Sequence, residues 1–240
     1  MDKHIETYSK AFDAKLNKVI GYTDVDLEGR FDRLRSQETN LGNWITDIVF
    51  SEYEEVDICL INSGTLRYNS VIPKGPITAR MIMNMLPWKD TCVILKVPGR
   101  LIMSMLENSV SAYPKLDGRW ACYSGIKFAF DPAQPAGSRV HSVKTMNDEA
   151  FDFDRDYNIA TKHFISLGRD GYDCFKDPGV SYVRDEEGAA LIGSMVLEQM
   201  RRFGPSYSKN PIDMAIEYAI NPSHVERRQL RMKMLHTNEH

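Results

Sequence analysis

The feature that most constrains the fold of this chain is an irregular alternation of short apolar segments with amphipathic ones. Mostly apolar runs bounded by turn residues are typical of strands, and five segments fit this pattern: VDICLIN, DTCVILKVPG, GIKFAFD, SRVHSVKT and DYNIATKHF. Helical spacing is found in TARMIMNMLP, GRLIMSMLENSVSAY and AALIGSMVLEQMRRFG. The segments do not repeat as strand–helix–strand units, and a Rossmann fingerprint, a Walker loop and internal repeats are missing from the sequence. The pattern therefore predicts an irregular mixture of strands and helices.

The clearest helix is predicted over residues 37–52, in the stretch ETNLGNWITDIVFSEY. Ser36 is placed to cap its first turn. The apolar side chains at helical spacing are Leu41, Trp44, Ile45, Ile48 and Val49. A second amphipathic helix is predicted over residues 4–19, and residues 206–240 are predicted to form one or two short helices and a tail.

Charge and cysteine content exclude some classes of protein. Thirty Lys and Arg residues are interspersed with 33 Asp and Glu residues, which leaves a net charge of -3 and no basic stripe for a nucleic-acid polymer. A signal peptide and an apolar run long enough to span a membrane are missing from the sequence, so it predicts neither export nor a membrane span and leaves the compartment unknown. The four cysteines are widely spaced and are expected to be free, mostly buried thiols.

Catalytic machinery is not evident in the sequence. The six histidines are scattered without metal-ligand spacing, and a nucleophile elbow is missing. We therefore predict no metal site and no catalytic residue in this chain.

Binding features are more evident, beginning with INSGTLR, where an apolar strand runs into a loop of small residues. Gly64 permits close backbone approach, Asn62 offers both donors and an acceptor, and the planar guanidinium of Arg67 suits a phosphate. A plain turn with a surface arginine is the alternative interpretation.

Four further side chains extend this set. Trp88 follows a proline at a helix end, Phe164 follows a strand, and Asp170 lies between two glycines. Arg35 precedes the helix predicted at 37, so an anion there would meet both a guanidinium and a helix N-terminus. Singly, each is more typical of a core, turn or solvated side chain. Together the cations, aromatic rings, aspartate and asparagine match the chemistry of a nucleotide.

Six motifs in order resemble the C-terminal domain of the 5'-nucleotidase family, which includes ecto-5'-nucleotidase and the bacterial UDP-sugar hydrolase. The similarity runs from about residue 15 to about residue 204. The motifs are RSQETNLGNWITD, INSGTLR, GPIT with MLPW, VPGRLIMSMLENSV, YSGIKFAFDP and HFISLGRDGYDCF. The resemblance implies an α+β domain of layered α/β/β/α type, which we place at residues 23–205, after an entry or linker helix at 1–22. The sequence pattern adds a C-terminal helical extension and tail at 206–240.

The resemblance also implies roles for the candidate residues. Arg35 and Arg67 would hold phosphate, Trp88 and Phe164 would stack on the base, and Asp170 would accept hydrogen bonds from the ribose. Asn62 and the backbone of Gly64 would line the base and ribose. Hydrolysis would need two divalent metal ions on an N-terminal metallophosphoesterase domain, in the same or a separate chain, so these 240 residues are expected to bind a nucleoside monophosphate or related nucleotide without cleaving it.

Departures from the family pattern remove none of the binding groups, and two other interpretations stay open beside the leading one. Trp88 stands where well-known members have phenylalanine, and Arg169 replaces a frequent glycine. A stand-alone, non-catalytic nucleotide-binding module is the main alternative to a substrate-recognition domain acting in nucleotide catabolism. A partner-binding domain with a degenerate pocket is the third.

Overall fold

The structure, a computed structural model, describes residues 13–203 and 232–234. The helices within these residues are α1 (13–16), α2 (Phe31–Leu34), α3 (Asn40–Ser51), α4 (Ala79–Met85), α5 (Ile102–Val110), α6 (His163–Ser166) and α7 (Ile192–Phe203). The strands are β1 (Val19–Thr23), β2 (Leu27–Glu28), β3 (Ile58–Asn62), β4 (Val71–Ile72), β5 (Gly75–Thr78), β6 (Cys92–Pro98), β7 (Ala121–Ser124), β8 (Ile126–Phe130), β9 (Val140–Thr145), β10 (Asp156–Lys162), β11 (Ser181–Arg184) and β12 (Met232–Met234).

A five-stranded sheet in the order β11-β6-β10-β3-β7 forms the centre of the molecule. The pair β3 and β10 is parallel, while the other neighbours are antiparallel. Leu60 of β3 is in register with Thr161 of β10. The carboxyl ends of β3 and β10 therefore reach the same edge of the sheet.

Both faces of this sheet are covered, because strand residues alternate between two hydrophobic clusters. Cys59 and Ile61 of β3 belong to one cluster with residues of α3, α4 and α7, whereas Ile58 and Leu60 belong to the other with residues of α5 and β8. This alternation explains why β3 is apolar throughout, as expected of a strand buried on both faces.

The second cluster is completed by a three-stranded sheet in the order β12-β8-β9. Helix α5 contacts this sheet through Glu107, whose Oε1 accepts a hydrogen bond from the backbone N–H of Val140 at 2.6 Å. Two short ribbons, β1 with β5 and β2 with β4, lie outside the hydrogen bonding of the main sheet. The result is a layered mixture of helices and strands, as the α+β prediction requires.

The five predicted strands are present as β3, β6, β8, β9 and β10, and the three predicted helices are present as α4, α5 and α7. The helix predicted over 37–52 is α3, but it begins at Asn40. The side chain of Thr39, not that of Ser36, caps it by accepting a hydrogen bond from the N–H of Gly42. The predicted cap was therefore three residues too early.

The predictions for the two ends of the chain differ from the structure at the positions that the structure describes. A helix was predicted over residues 4–19, and most of it falls in residues 1–12, which lie outside the described residues. Residues 13–16 are helical, as predicted. Val19, however, is the first residue of β1, so the predicted helix extended too far. Most of 206–240 also lies outside the described residues. Met232–Met234, predicted as helix or tail, instead form β12, which pairs in parallel with β8.

Cys59, Cys92 and Cys122 are buried thiols and Cys174 is a partly buried one, which confirms the prediction of mostly buried thiols. Within residues 13–203 and 232–234, none of the helices has the length and apolar content to cross a membrane.

Candidate functional site

A cavity of about 560 Å³ opens at the edge of the sheet where β3 and β10 end. Ligand sites of open sheets lie commonly at the carboxyl ends of parallel strands. All seven residues singled out in the sequence line this cavity: Arg35, Asn62, Gly64, Arg67, Trp88, Phe164 and Asp170. Four lining residues were missed: Lys89, Asp90, Gly118 and Lys162.

The two aromatic rings meet at this cavity because of the register between two antiparallel strands. Cys92, the first residue of β6, lies opposite Lys162, the last residue of β10. Trp88 precedes β6 and Phe164 follows β10, so both side chains emerge at the same end of the pair. They are 54% and 41% exposed, an unusual degree for large aromatic side chains of a folded domain.

Two arginines lie on another side of the cavity, and one aromatic ring contacts both. The guanidinium carbon of Arg35 lies 4.2 Å from the ring centroid of Phe31, and that of Arg67 lies 5.7 Å from it. Arg67 is also 6.0 Å from the ring of Trp88. Phe31, which sequence reasoning missed, therefore supports both cations from α2.

Arg35 has an unused hydrogen-bond donor. Its Nε is buried and finds no acceptor among the described residues. Partial burial and the nearby charge of Arg67 lower the pKa of the Arg35 guanidinium. Within residues 13–203 and 232–234, neither arginine forms a salt bridge, so an anion between them would relieve both the missing hydrogen bond and the repulsion.

The expected help from a helix N-terminus is absent at Arg35. This residue directly follows α2, and α3 begins five residues later, at Asn40. The guanidinium groups, and not the dipole of α3, must provide attraction for an anion here.

Asn62 is buried, at 1% exposure, and its side chain is engaged within the protein. Its Nδ2 donates to Oδ2 of Asp170 at 2.6 Å and to the carbonyl oxygen of Gly118 at 3.1 Å, while its Oδ1 accepts from the hydroxyl of Thr65 at 2.8 Å. The amide of Asn108 donates to the carbonyl oxygen of Asp170 at 3.0 Å. Asn62 therefore holds the carboxylate of Asp170, and both N–H donors of its amide are used within the protein.

Asp170 adopts a left-handed backbone conformation, with φ of 53°. Aspartate tolerates this conformation better than most residues. Hydrogen bonds from Asn62 and Asn108 hold the residue on both its side chain and its backbone.

Gly64 and Gly118 allow two loops to touch through their backbones. The N–H of Gly64 donates to the carbonyl oxygen of Gly118 at 3.1 Å. A Cβ on Gly64 would lie 3.0 Å from Nδ2 of Asn62 and 3.4 Å from Cα of Gly118, so a side chain there would press on the amide that holds Asp170. The glycine is needed for this contact between loops as well as for lining the cavity.

The missed residues include an ion pair between Lys162 and Asp90, with Nζ 3.2 Å from Oδ2. Neither residue belongs to a recognisable motif. Lys162 and Asp90 are brought together by the antiparallel pairing of β10 with β6. The spacing of residues in the sequence does not give the register of that pairing, so the ion pair could not be predicted.

The described residues contain no group of three or more His, Cys, Asp or Glu side chains that could hold a metal ion. The cavity itself offers cations, aromatic rings and the carboxylates of Asp90 and Asp170, a set of groups suited to binding.

Comparison with known proteins decides the family. The family model described as "5'-nucleotidase, C-terminal domain" matches residues 19–177, more than half of the chain. The chain belongs to this family. The mixed fold predicted from the sequence is accordingly that of the 5'-nucleotidase C-terminal domain.

Relatives of this 5'-nucleotidase C-terminal domain are considerably longer proteins. The trifunctional nucleotide phosphoesterase protein YfkN of Bacillus subtilis (strain 168) is 28% identical over 213 residues, covering 86% of this chain and 14% of that protein. The snake venom 5'-nucleotidase of Macrovipera lebetinus is 26% identical over 202 residues, covering 77% of this chain and 50% of that protein. The crystal structure of the 5'-nucleotidase precursor from Thermus thermophilus superposes with a TM-score of 0.78 at 27% identity, covering 99% of this chain and 43% of that one. The chain thus spans half or less of the length of these relatives.

Proposed function

We propose that this chain is the substrate-recognition domain of a 5'-nucleotidase-type phosphohydrolase and binds a nucleoside monophosphate or a related nucleotide. In this proposal Trp88 and Phe164 stack on the base, Arg35 and Arg67 hold phosphate, and Asp170 accepts hydrogen bonds from ribose hydroxyls. Asn62 serves by holding Asp170 in place.

One observation carries the proposal: two exposed aromatic rings and two arginines that form no salt bridge among the described residues line the same cavity, and Nε of Arg35 has no acceptor there. Stacking of a base on an exposed aromatic ring contributes about 1–3 kcal/mol of binding free energy, and this contribution is similar for different bases. A buried guanidinium donor without an acceptor favours an anion at the other end of the ligand. A nucleotide joins a flat base to an anion.

Hydrolysis is assigned to another domain. The family resemblance implies two divalent metal ions on an N-terminal metallophosphoesterase domain, and the described residues of this chain offer no such cluster. In the longer relatives the matched region is a part of one chain. We therefore expect the isolated 240-residue chain to bind nucleotides and to leave them intact.

Calorimetric titration with AMP, adenosine and a UDP-sugar tests the binding proposal. Trp88→Ala and Phe164→Ala should each weaken all three ligands by roughly ten-fold or more, because each removes one stacking face. Tyr22→Ala is the matched control, since Tyr22 is a 43% exposed aromatic residue on β1 that does not line the cavity. Unchanged affinity in both cavity variants would rule out the stacking model.

A phosphatase assay tests the assignment of catalysis. The purified chain, supplied with Mn²⁺, Zn²⁺ or Co²⁺, should release no phosphate from AMP above the buffer rate. Metal-dependent release that follows the protein through purification would contradict the assignment.

A further inference from the structure

The ion pair between Lys162 and Asp90 lies at the cavity and has no part in the function proposed above. Nζ of Lys162 is 3.2 Å from Oδ2 of Asp90, and the two side chains are 7% and 19% exposed. Removing two charges from water is costly, and a buried ion pair seldom stabilises a fold more than a well-packed apolar pair would. The pair therefore needs a reason other than stability.

Its position is set by the segments that carry the aromatic rings. Asp90 comes two residues after Trp88, and Lys162 comes two residues before Phe164. The ammonium group of Lys162 lies 4.7 Å from the ring centroid of Phe164. The ion pair thus bridges the two ring-bearing segments, at the end of the cavity where the proposed function places the base.

The two residues of this pair line the cavity and still have unused hydrogen-bonding positions. Lys162 engages Oδ2 of Asp90, and the other oxygen, Oδ1, accepts no hydrogen bond from the residues that the structure describes. An ammonium group has three donors, one of which is used by Asp90. Side by side, the two residues offer two carboxylate acceptors followed by one donor.

We infer that Asp90 and Lys162 read the edge of the base and favour guanine, an inference that rests on the proposed function. Guanine presents two adjacent donors, N2–H and N1–H, followed by the acceptor O6. This order is complementary to Oδ1 and Oδ2 of Asp90 and Nζ of Lys162. Hydrogen bonds to charged groups discriminate more strongly than neutral ones, and an unmatched partner leaves a desolvated group unpaired.

Other bases match this array less well. Hypoxanthine keeps N1–H and O6 but lacks the 2-amino donor. Adenine places its acceptor N1 beside its amine, and that acceptor would face a carboxylate oxygen. Uracil offers a single N–H between two carbonyl acceptors. The array therefore ranks GMP above IMP and IMP above AMP.

The first test changes the ligand and leaves the 240-residue chain unaltered, so that folding of a variant is not involved. Calorimetry should give a dissociation constant for GMP about ten-fold lower than for AMP, with IMP between them. Methylation at N1 of GMP should remove the advantage. Equal affinities for GMP, AMP and 1-methyl-GMP would overturn the inference.

The second test changes the acceptor array. Asp90→Asn replaces one acceptor by a donor, which suits the amine and N1 of adenine, so the preference should shift from GMP toward AMP. The matched control is Asp156→Asn, because Asp156 pairs with Lys96 across the same two strands at their opposite end, with Nζ 3.3 Å from Oδ2. The control should keep the GMP preference. A merely structural ion pair would lower affinity for all bases alike in Asp90→Asn, and that outcome would refute the inference.

The two proposals fail in different ways. If no nucleotide binds, or if Trp88→Ala and Phe164→Ala both leave every affinity unchanged, the proposed function fails and the base reading fails with it. If nucleotides bind and Trp88→Ala weakens the binding of all of them, but GMP, IMP and AMP bind with equal affinity, the proposed function stands and only the inferred preference for guanine is wrong.

Discussion

At the scale of single residues, Asn62 holds the side chain of Asp170, to which the proposed function assigns the ribose hydroxyls. It is buried at the end of β3, its Nδ2 donates to Asp170 and Gly118, and its Oδ1 accepts from Thr65. The family resemblance implied that Asn62 would line the base and ribose. In the structure, the amide N–H groups of Asn62 donate instead to the carboxylate of Asp170 and to the carbonyl oxygen of Gly118.

Asn62→Ala should therefore weaken adenosine binding to about the same extent as Asp170→Ala, and the double variant should be little worse than either. The chain should also lose roughly 1–3 kcal/mol in its free energy of unfolding, because buried partners are left without hydrogen bonds. Calorimetry and urea unfolding measure the two effects. Additive losses in the double variant would show that Asn62 contacts the ligand independently.

Phe31 gives a second prediction at this scale, since its ring contacts both Arg35 and Arg67. Phe31→Leu keeps an apolar side chain but removes the aromatic face, which is worth about 0.5–1 kcal/mol per cation at such sites. We expect the affinity for AMP to fall several-fold and that for adenosine to stay unchanged. Adenosine serves as the internal control, and an equal loss for both ligands would mean that the cavity as a whole had changed.

At the scale of elements, the junction of β7 and β8 is where the chain leaves the five-stranded sheet for the three-stranded one. Gly125 forms this junction with φ of +86°, and an added Cβ would collide with the carbonyl oxygen of Asp57. A side chain is excluded here both by backbone conformation and by space. The direction of β8, and with it the second cluster, depends on this residue.

Gly125→Ala should destabilise the chain by clearly more than Gly137→Ala. Gly137 has a similar φ of +91° but nothing within 4 Å of an added Cβ, so its variant measures the conformational cost alone. That cost is about 1–2 kcal/mol, and the contact with Asp57 adds to it. Thermal unfolding of both variants gives the comparison; equal losses would mean that the backbone near Asp57 moves freely.

The elements also show what could be predicted from the sequence. The apolar runs of β3 and β10 and the helical spacing of α3 were sufficient to predict these elements, because burial imposes a pattern on consecutive residues. Strands of two residues, such as β2 and β4, carry too little pattern to be recognised. Family motifs were sufficient to nominate the seven lining residues, whose role in binding stays a prediction. Lys162 and Asp90 reach the cavity through strand register, and Phe31 reaches Arg35 and Arg67 through packing; local spacing encodes neither.

At the scale of the whole molecule, the central sheet separates two hydrophobic clusters, and cysteines contribute to both sides. Burial raises the pKa of Cys92 and that of Cys174 to about 12. Thiolate is the reactive form, so at pH 8 roughly one such thiol in ten thousand would be ionised. Cys59 and Cys122 are protected by burial as well.

We therefore expect the folded chain to react slowly with iodoacetamide at pH 8 and to release no thiol on treatment with a reductant. After unfolding in guanidinium, all four cysteines should react, as mass spectrometry would show. Rapid labelling of the folded chain would place a cysteine outside the clusters. Fewer than four labels after unfolding would reveal a disulfide.

The strand at Met232–Met234 has a consequence for the solubility of the chain. It pairs with β8, every residue of which is buried, and so β8 lies between two hydrogen-bonded neighbours. Without it, β8 would present an apolar row of free backbone N–H and C=O groups, the kind of edge on which chains polymerise. Met232–Met234, which were predicted as helix or tail, thus cover this edge of β8, and we expect their removal to favour aggregates over monomers.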